Sequence, residues 1–299
     1  MTLRIAVTGA NAGIGLRAAG LLATRGHHVL ALCRDRGRAE RALAALPAPQ
    51  QERIELVQLD LASSKSIRRA AAQIVADGPL DALIHNAAVL DQSVRAPRTT
   101  VDGHELFWAT NHLGPVELTA RLGPALAAAP SPRVVLVASK GLVTMPRLEL
   151  PAGDPGDPRG FTPTRAYYRS KLAQVMTAVT LAERFGDRLD VSCLRVPAVR
   201  MDPARLAAQP ALLRVLYAPK RRLATAPEEI AQVYASLVLD PPRHARGEEV
   251  YVDEHLRIVP LPGYAREPAH RARLWELTQA ALGSPSWDWA GRGTDEHRR

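Results

Sequence analysis

Short apolar runs recur along this chain, separated by stretches in which apolar residues return every three or four positions. The runs predict strands near 3–8, 28–33, 53–59, 80–85, 132–138, 189–195 and 248–252, and the spaced pattern predicts helices near 13–25, 36–46, 63–77, 103–128, 165–186 and 226–239. Several strands, such as Val134-Val135-Leu136-Val137, are apolar at every position. That is expected when helices cover both faces of a parallel sheet. Strict alternation of strand and helix then predicts a doubly wound α/β domain with right-handed crossovers, spanning 1–283 and free of internal repeats.

Two segments interrupt the rhythm. Residues 144–164 are rich in proline and glycine and predict a loop between a strand and a helix. Residues 197–225 scatter Leu206, Leu212, Leu213, Leu216 and Tyr217 among arginines and prolines, which suits a helical lid over a substrate pocket, with bounds near 200–224. Beyond 283 the chain is polar apart from Trp287 and Trp289, and a loose tail over 284–299 is expected.

Composition adds mostly exclusions. The formal net charge of +9 invites a nucleic-acid reading, but only four of the 39 basic residues are lysine, as a GC-rich genome produces. The arginines form no stripe and no aromatic residues interleave with them, so nucleic acid is not an expected partner. Cys33 and Cys193 lie in separate apolar runs without the spacing of a disulfide framework or zinc site, which fits a reduced, cytoplasmic setting. The chain opens directly on a strand, with no leader-like segment, and no apolar window is long enough for a membrane span. A small molecule is the expected partner.

Chemistry concentrates at two places. The first strand runs into Thr8-Gly9-Ala10-Asn11-Ala12-Gly13-Ile14-Gly15 and then a helix. Glycines there let a pyrophosphate approach the backbone, and the helix N-terminus offers free N–H groups, as in a Rossmann-type dinucleotide site. Gly9, Asn11, Gly13, Ile14 and Gly15 are therefore expected to bind the cofactor. At the end of the second strand, Cys33 stands where an NAD site carries a carboxylate, and Arg34 follows it. A cation suits a 2′-phosphate, with Arg38 as a helper, and favours NADP(H); Asp35 opposes this by offsetting the charge or reaching a ribose itself. Asp60, followed by Leu61, ends the third strand where a carboxylate can accept from the adenine amino group. Asn86, followed by Ala87, ends the fourth, where it braces the sheet or serves as a plain turn residue.

Tyr167 and Lys171 are four apart on a predicted helix and share one face. A phenol titrates near 10 and is a poor acid–base catalyst until a neighbouring ammonium favours its anion. Ser139 closes the fifth strand at the carboxyl edge, placed to hold a carbonyl oxygen, and Asn111 lies where it can anchor a water that relays protons through Lys171. Tyr168 is out of register, since its fourth neighbour is Leu172, and Lys140 reads as a solvated or cofactor-edge cation.

These residues together resemble the short-chain dehydrogenases/reductases, and within them the retinol-dehydrogenase-like members, over roughly 3–283. The glycine run from Thr8 to Gly15, Leu59-Asp60-Leu61-Ala62-Ser63, Asn86-Ala87-Ala88, Thr110-Asn111-His112-Leu113-Gly114, the helix bearing Tyr167, Ser170 and Lys171, and Arg273-Leu274-Trp275-Glu276-Leu277 are each similar to a motif of that family. The resemblance implies hydride transfer between NADP(H) and a carbonyl or alcohol, with Ser139, Tyr167, Lys171 and Asn111 catalytic, Lys171 also holding the nicotinamide ribose and Pro197 near the ring. It also implies a homodimer or homotetramer. Three departures stand out: Ala88 and the pair Pro197-Ala198 replace family glycines, and Val199-Arg200-Met201-Asp202 is one residue short and lacks a threonine. They leave open a non-redox reaction on the same fold, such as epimerisation or elimination. A regulator that senses NADP without turnover is the reading from another class, and the retained Tyr167 and Lys171 speak against it.

Overall fold

The computed structural model describes residues 1–200 and 224–287. Its centre is a parallel sheet of seven strands: β1 Arg4–Thr8, β2 His28–Cys33, β3 Ile54–Gln58, β4 Ala82–His85, β5 Arg133–Ser139, β6 Asp190–Val196 and β7 Tyr251–Val252. Their order is β3-β2-β1-β4-β5-β6-β7, so the direction of winding reverses between β1 and β4. Open α/β sheets bind ligands at the carboxyl edge beside such a reversal.

Each strand divides its side chains between two cores. Ile5, Val29, Ala31, Val135 and Val137 face one layer, with helix α1 (Gly13–Thr24) and helix α2 (Arg36–Ala44). Ala6, Leu30, Leu32, Val134, Leu136 and Ala138 face the other, with helix α3 (Ser64–Ala76). The all-apolar run at Val134–Val137 is thus a strand buried on both sides, as its pattern predicts.

The stretch expected as one helix over 103–128 is broken. Helix α4 comprises a short turn Leu106–Trp108, a π-helical turn Ala109–Leu113 and the α-helical Gly114–Arg121, and a further short helix follows at Gly123–Ala127. Gly114-Pro115 and Gly123-Pro124 mark the interruptions. Proline has no N–H, so Pro115 cannot donate to the carbonyl of Asn111 four residues before it. Helix α5 (Pro163–Phe185), capped by the Thr162 hydroxyl, runs behind α4 with every residue from Ser170 to Ala182 buried. Helix α6 (Pro227–Leu239) covers the opposite layer beside α1.

Three expectations are revised. The strand expected at 248–252 begins as a 3-10 turn, Gly247–Val250, and only Tyr251 and Val252 pair with β6. Helix α7 (Pro268–Ala281) was not expected; its buried positions are Arg271, Leu274 and Thr278, so one aliphatic residue carries the whole periodic signal. Arg271 donates to the carbonyls of Ala265 and Arg266 and pairs with Glu183 of α5. Of the expected tail, Trp287 is packed: its ring stacks on Phe185, lies 4.8 Å from Trp275, and its N–H donates to Gln279 at 2.7 Å. The lid residues Leu206, Leu212, Leu213, Leu216 and Tyr217 lie outside the described residues. The chain leaves and re-enters the described fold through one parallel bridge, Val199 with Thr225, closed by Arg200 N to Thr225 O and Thr225 N to Ala198 O, both 2.9 Å.

Helix α4 lies directly on the chain that follows β3. A Cβ built on Gly114 would stand 2.2 Å from the carbonyl oxygen of Leu61, a backbone atom with nowhere to go. Gly114→Ala is therefore expected to cost about 1–3 kcal/mol through overpacking. Gly37→Ala, in α2 with no atom nearer than 3.6 Å, should gain about 0.5 kcal/mol by stiffening the unfolded chain. Urea-denaturation midpoints moving in opposite directions for the two variants would bear this out.

Candidate active site

At the carboxyl edge, β1 turns into α1 through a glycine-lined bend. Gly9 has φ +69° and its N–H donates to Leu32 O at 2.8 Å, while a Cβ on Gly15 would lie 2.5 Å from Gly9 O. Ala12 precedes α1 without a capping side chain, and no acidic residue stands in the first turn. By contrast, Asp35, Ser63 and Thr162 cap α2, α3 and α5. A Cβ on Gly13 would meet nothing within 4 Å, so the bend faces open space. An uncapped positive helix end beside such a space is suited to a diphosphate.

Arg34 leaves β2 exposed at this edge. Its neighbour Asp35 caps α2, with Oδ1 accepting from Arg38 N at 2.8 Å. Asp60, at the end of β3, accepts from Ala62 N at 3.0 Å in its own turn. Asn86 is the brace that sequence allowed. Its Nδ2 donates to Thr8 O at 2.9 Å and Gly9 O at 3.4 Å, tying the glycine bend to the end of β4, and Ala87 N donates to the Thr8 hydroxyl at 2.9 Å.

From Asn86 the contacts lead toward the catalytic side. Asn86 Oδ1 accepts from the Tyr234 hydroxyl at 3.1 Å. Burial, with a smaller contribution from nearby Tyr167, raises the pKa of Tyr234, so it stays a neutral donor. Tyr167 and Lys171 share a face of α5, with the ammonium 5.8 Å from the Tyr167 ring centroid. Lys171 is buried and donates to Val137 O of β5 at 2.6 Å; burial pushes its pKa down to about 8. Behind it, wholly buried His85 is held near 3 by burial first and by the Lys171 charge second, so it is neutral. Its Nε2 meets the Thr119 hydroxyl, which itself donates to Pro115 O. Burial pushes the Cys193 thiol up to about 12.

Ser139 ends β5 with its hydroxyl oxygen accepting from Gly141 N at 3.2 Å. Lys140, expected to be a solvated or cofactor-edge cation, is exposed and pairs with Glu254 at 2.9 Å. Asn111 is buried in the π-helical turn. Its side chain holds Val89 at both backbone groups, N at 2.7 Å and O at 3.0 Å, and donates to Ser170 Oγ; its carbonyl accepts from Gln174 Nε2 at 2.5 Å. Gln174 thus supplies the donor that Pro115 lacks. Pro197 directly follows β6, just before the bridge at Val199. Gln174, Tyr234 and His85 carried no sequence signal as site residues, because each sits at an ordinary inward position of a helix or strand.

The edge therefore brings together an anion-suited helix end, an exposed arginine and a phenol–ammonium pair, with Asn86 bonding the glycine bend to Tyr234. The family model for short chain dehydrogenases matches residues 4–149. A chloroplast protochlorophyllide reductase of Chlamydomonas reinhardtii is 32% identical over 268 residues, covering 81% of this chain and 67% of its own. Retinol dehydrogenase 14 of Mus musculus is 34% identical over 228 residues, covering 71% and 66%. Among solved structures, a protein from Mycobacterium paratuberculosis superposes with a TM-score of 0.68 at 26% identity, over 95% of this chain and 94% of that one. The chain belongs to the short-chain dehydrogenase/reductase family and is an oxidoreductase related to its retinol-dehydrogenase-like members.

Proposed function

We propose that this enzyme interconverts a carbonyl and an alcohol on a small, apolar or bulky metabolite, using NADP(H) and Tyr167 as acid and base. The observation that carries the reading is the buried Lys171 ammonium beside the Tyr167 ring. An ammonium there favours the phenolate, which lets the phenol give its proton to a developing alkoxide and recover it in the reverse direction. Ser139 donates to the same oxygen. Lys171 also reaches the nicotinamide ribose, and Asn111 acts by positioning, holding Val89 and Ser170 in place.

The nicotinamide, when bound, supplies or accepts the hydride. The glycine bend from Gly9 to Gly15 cradles the diphosphate, with Asn11 and Ile14 in its wall; Asp60 and Leu61 border the adenine, Asn86 and Ala87 support the bend, and Pro197 borders the ring. Arg34 meets the 2′-phosphate, a role favoured by Asp35 capping its own helix. Apolar Val143 and Leu90 are exposed close to Ser139 and Val89, which favours an apolar substrate.

Tyr167→Phe is expected to lower kcat at least a hundredfold while leaving NADPH affinity within about twofold, since only the transferable proton is lost. Turnover of an aldehyde panel and fluorescence titration with NADPH check both halves. Arg34→Ala should weaken NADPH by about 1.5–3 kcal/mol and leave NADH nearly unchanged; equal losses for both would remove the 2′-phosphate contact. Carbonyl reduction should also respond to pH. Lys171 loses its proton as pH rises through about 8, and with it the charge that supports Tyr167. The profile of kcat/KM, which reports the free enzyme, should fall on that alkaline side.

A further inference from the structure

Tyr168 falls outside the register that pairs Tyr167 with Lys171, and nothing in the reaction needs its hydroxyl. Its location gives it another use. A Cβ built on Gly141 would lie 2.1 Å from the Tyr168 hydroxyl oxygen and 2.7 Å from two of its ring carbons. Tyr168 therefore rests directly on the backbone of Gly141. Gly141 in turn donates its N–H to Ser139 Oγ at 3.2 Å and accepts from the Thr144 hydroxyl at 2.7 Å. On its other side the Tyr168 ring meets the Tyr167 ring edge to face, with centroids 5.2 Å apart.

We propose that Tyr168 is a positioning residue that sets the separation of Ser139 and Tyr167, acting as a rigid spacer between the turn after β5 and the first exposed turn of α5. The proposal rests on the acid–base reading of Tyr167 given above. Two torsions define a tyrosine ring, so it transmits displacement where a longer flexible side chain would absorb it. The far side of the turn is held as well, because Lys140 pairs with Glu254 at 2.9 Å. The turn is thus pressed between that ion pair and the Tyr168 ring. Ser139, whose oxygen already accepts from Gly141, is left with its hydroxyl hydrogen to donate.

The geometry makes Gly141 and Tyr168 a coupled pair, and coupling is what the test reads. In the free protein, the ionisation of Tyr167 is followed by ultraviolet difference spectra as the step present in wild type and missing from Tyr167→Phe. Gly141→Ala should raise the pH of that step by about one unit, since a Tyr168 ring driven off Gly141 displaces the Tyr167 phenol from the Lys171 ammonium that favours its anion. It should also lower kcat with NADPH and benzaldehyde on the order of a hundredfold, with NADPH affinity unchanged. Tyr168→Ala alone, which removes the spacer, should show smaller changes in the same direction, and Gly141→Ala with Tyr168→Ala should fall back to that level, because no ring is left for the methyl to drive against Tyr167. Tyr168→Phe should match wild type, because the ring and not the proton does the spacing.

A Tyr167 step that stays in place in Gly141→Ala, or a double variant no better than Gly141→Ala, overturns the proposal. Loss of turnover in Tyr168→Phe also overturns it, by making the hydroxyl a chemical participant. Should Tyr167→Phe remove no ionisation step while retaining turnover, the acid–base reading falls first and the spacer falls with it.

Discussion

A buried ammonium is the constraint around which the rest of the site is arranged. Lys171 is stripped of water, and one carbonyl of the sheet, Val137 O, takes a hydrogen bond from it. Removing a charge from water is costly unless it is bonded and its surroundings stay fixed. Here the fixing comes from α5, which is buried without a break from Ser170 to Ala182 and cannot slide along β5 without disturbing the core on its side of the sheet. The position of Tyr167 one turn earlier follows from that burial. Neutral His85 and an un-ionised Cys193 lie close enough to feel its charge.

The second arrangement begins with a missing atom. Pro115 has no N–H, so the helix widens into a π-helical turn and the carbonyl of Asn111 looks outside its own helix for a donor. Gln174, one turn beyond Lys171 on α5, provides it. Asn111 then uses its side chain to hold Val89, the residue that carries the chain away from β4. A single irregular turn thereby joins α4, α5 and the loop after β4. Asn111, expected from sequence to anchor a relay water, is also the junction of three elements.

Much of this was readable from residue order. Strands buried on two faces announce themselves by unbroken apolar runs, and Tyr167 and Lys171 announce a shared face by their spacing. Arg34 and Asp35 were ambiguous as a pair, and the cap of α2 accounts for one of the two Asp35 oxygens, which residue order alone does not show. Helix α7 was hidden because its inward residues include Arg271 and Thr278, whose polar groups are satisfied by particular carbonyls and by His112. Periodicity detects apolar faces and is blind to a polar residue buried with a partner. The break in α4 was visible as two Gly-Pro pairs, yet its consequence, a carbonyl claimed by another helix, depends on a tertiary contact. Close approaches such as Gly114 on Leu61 and Tyr168 on Gly141 leave no trace in a sequence except the glycine itself.

The bridge between Val199 and Thr225 carries one more implication. Arg200 and Thr225 are held beside each other by backbone bonds that depend on no side chain, so the two described ends of the chain at this point are fixed together. The entropy of closing the excursion between them grows only slowly with its length. Residues there can change in number and kind with little effect on the strands that hold the cofactor edge. The frame that carries Ser139, Tyr167 and Lys171 is thereby insulated from insertions and deletions between those two points.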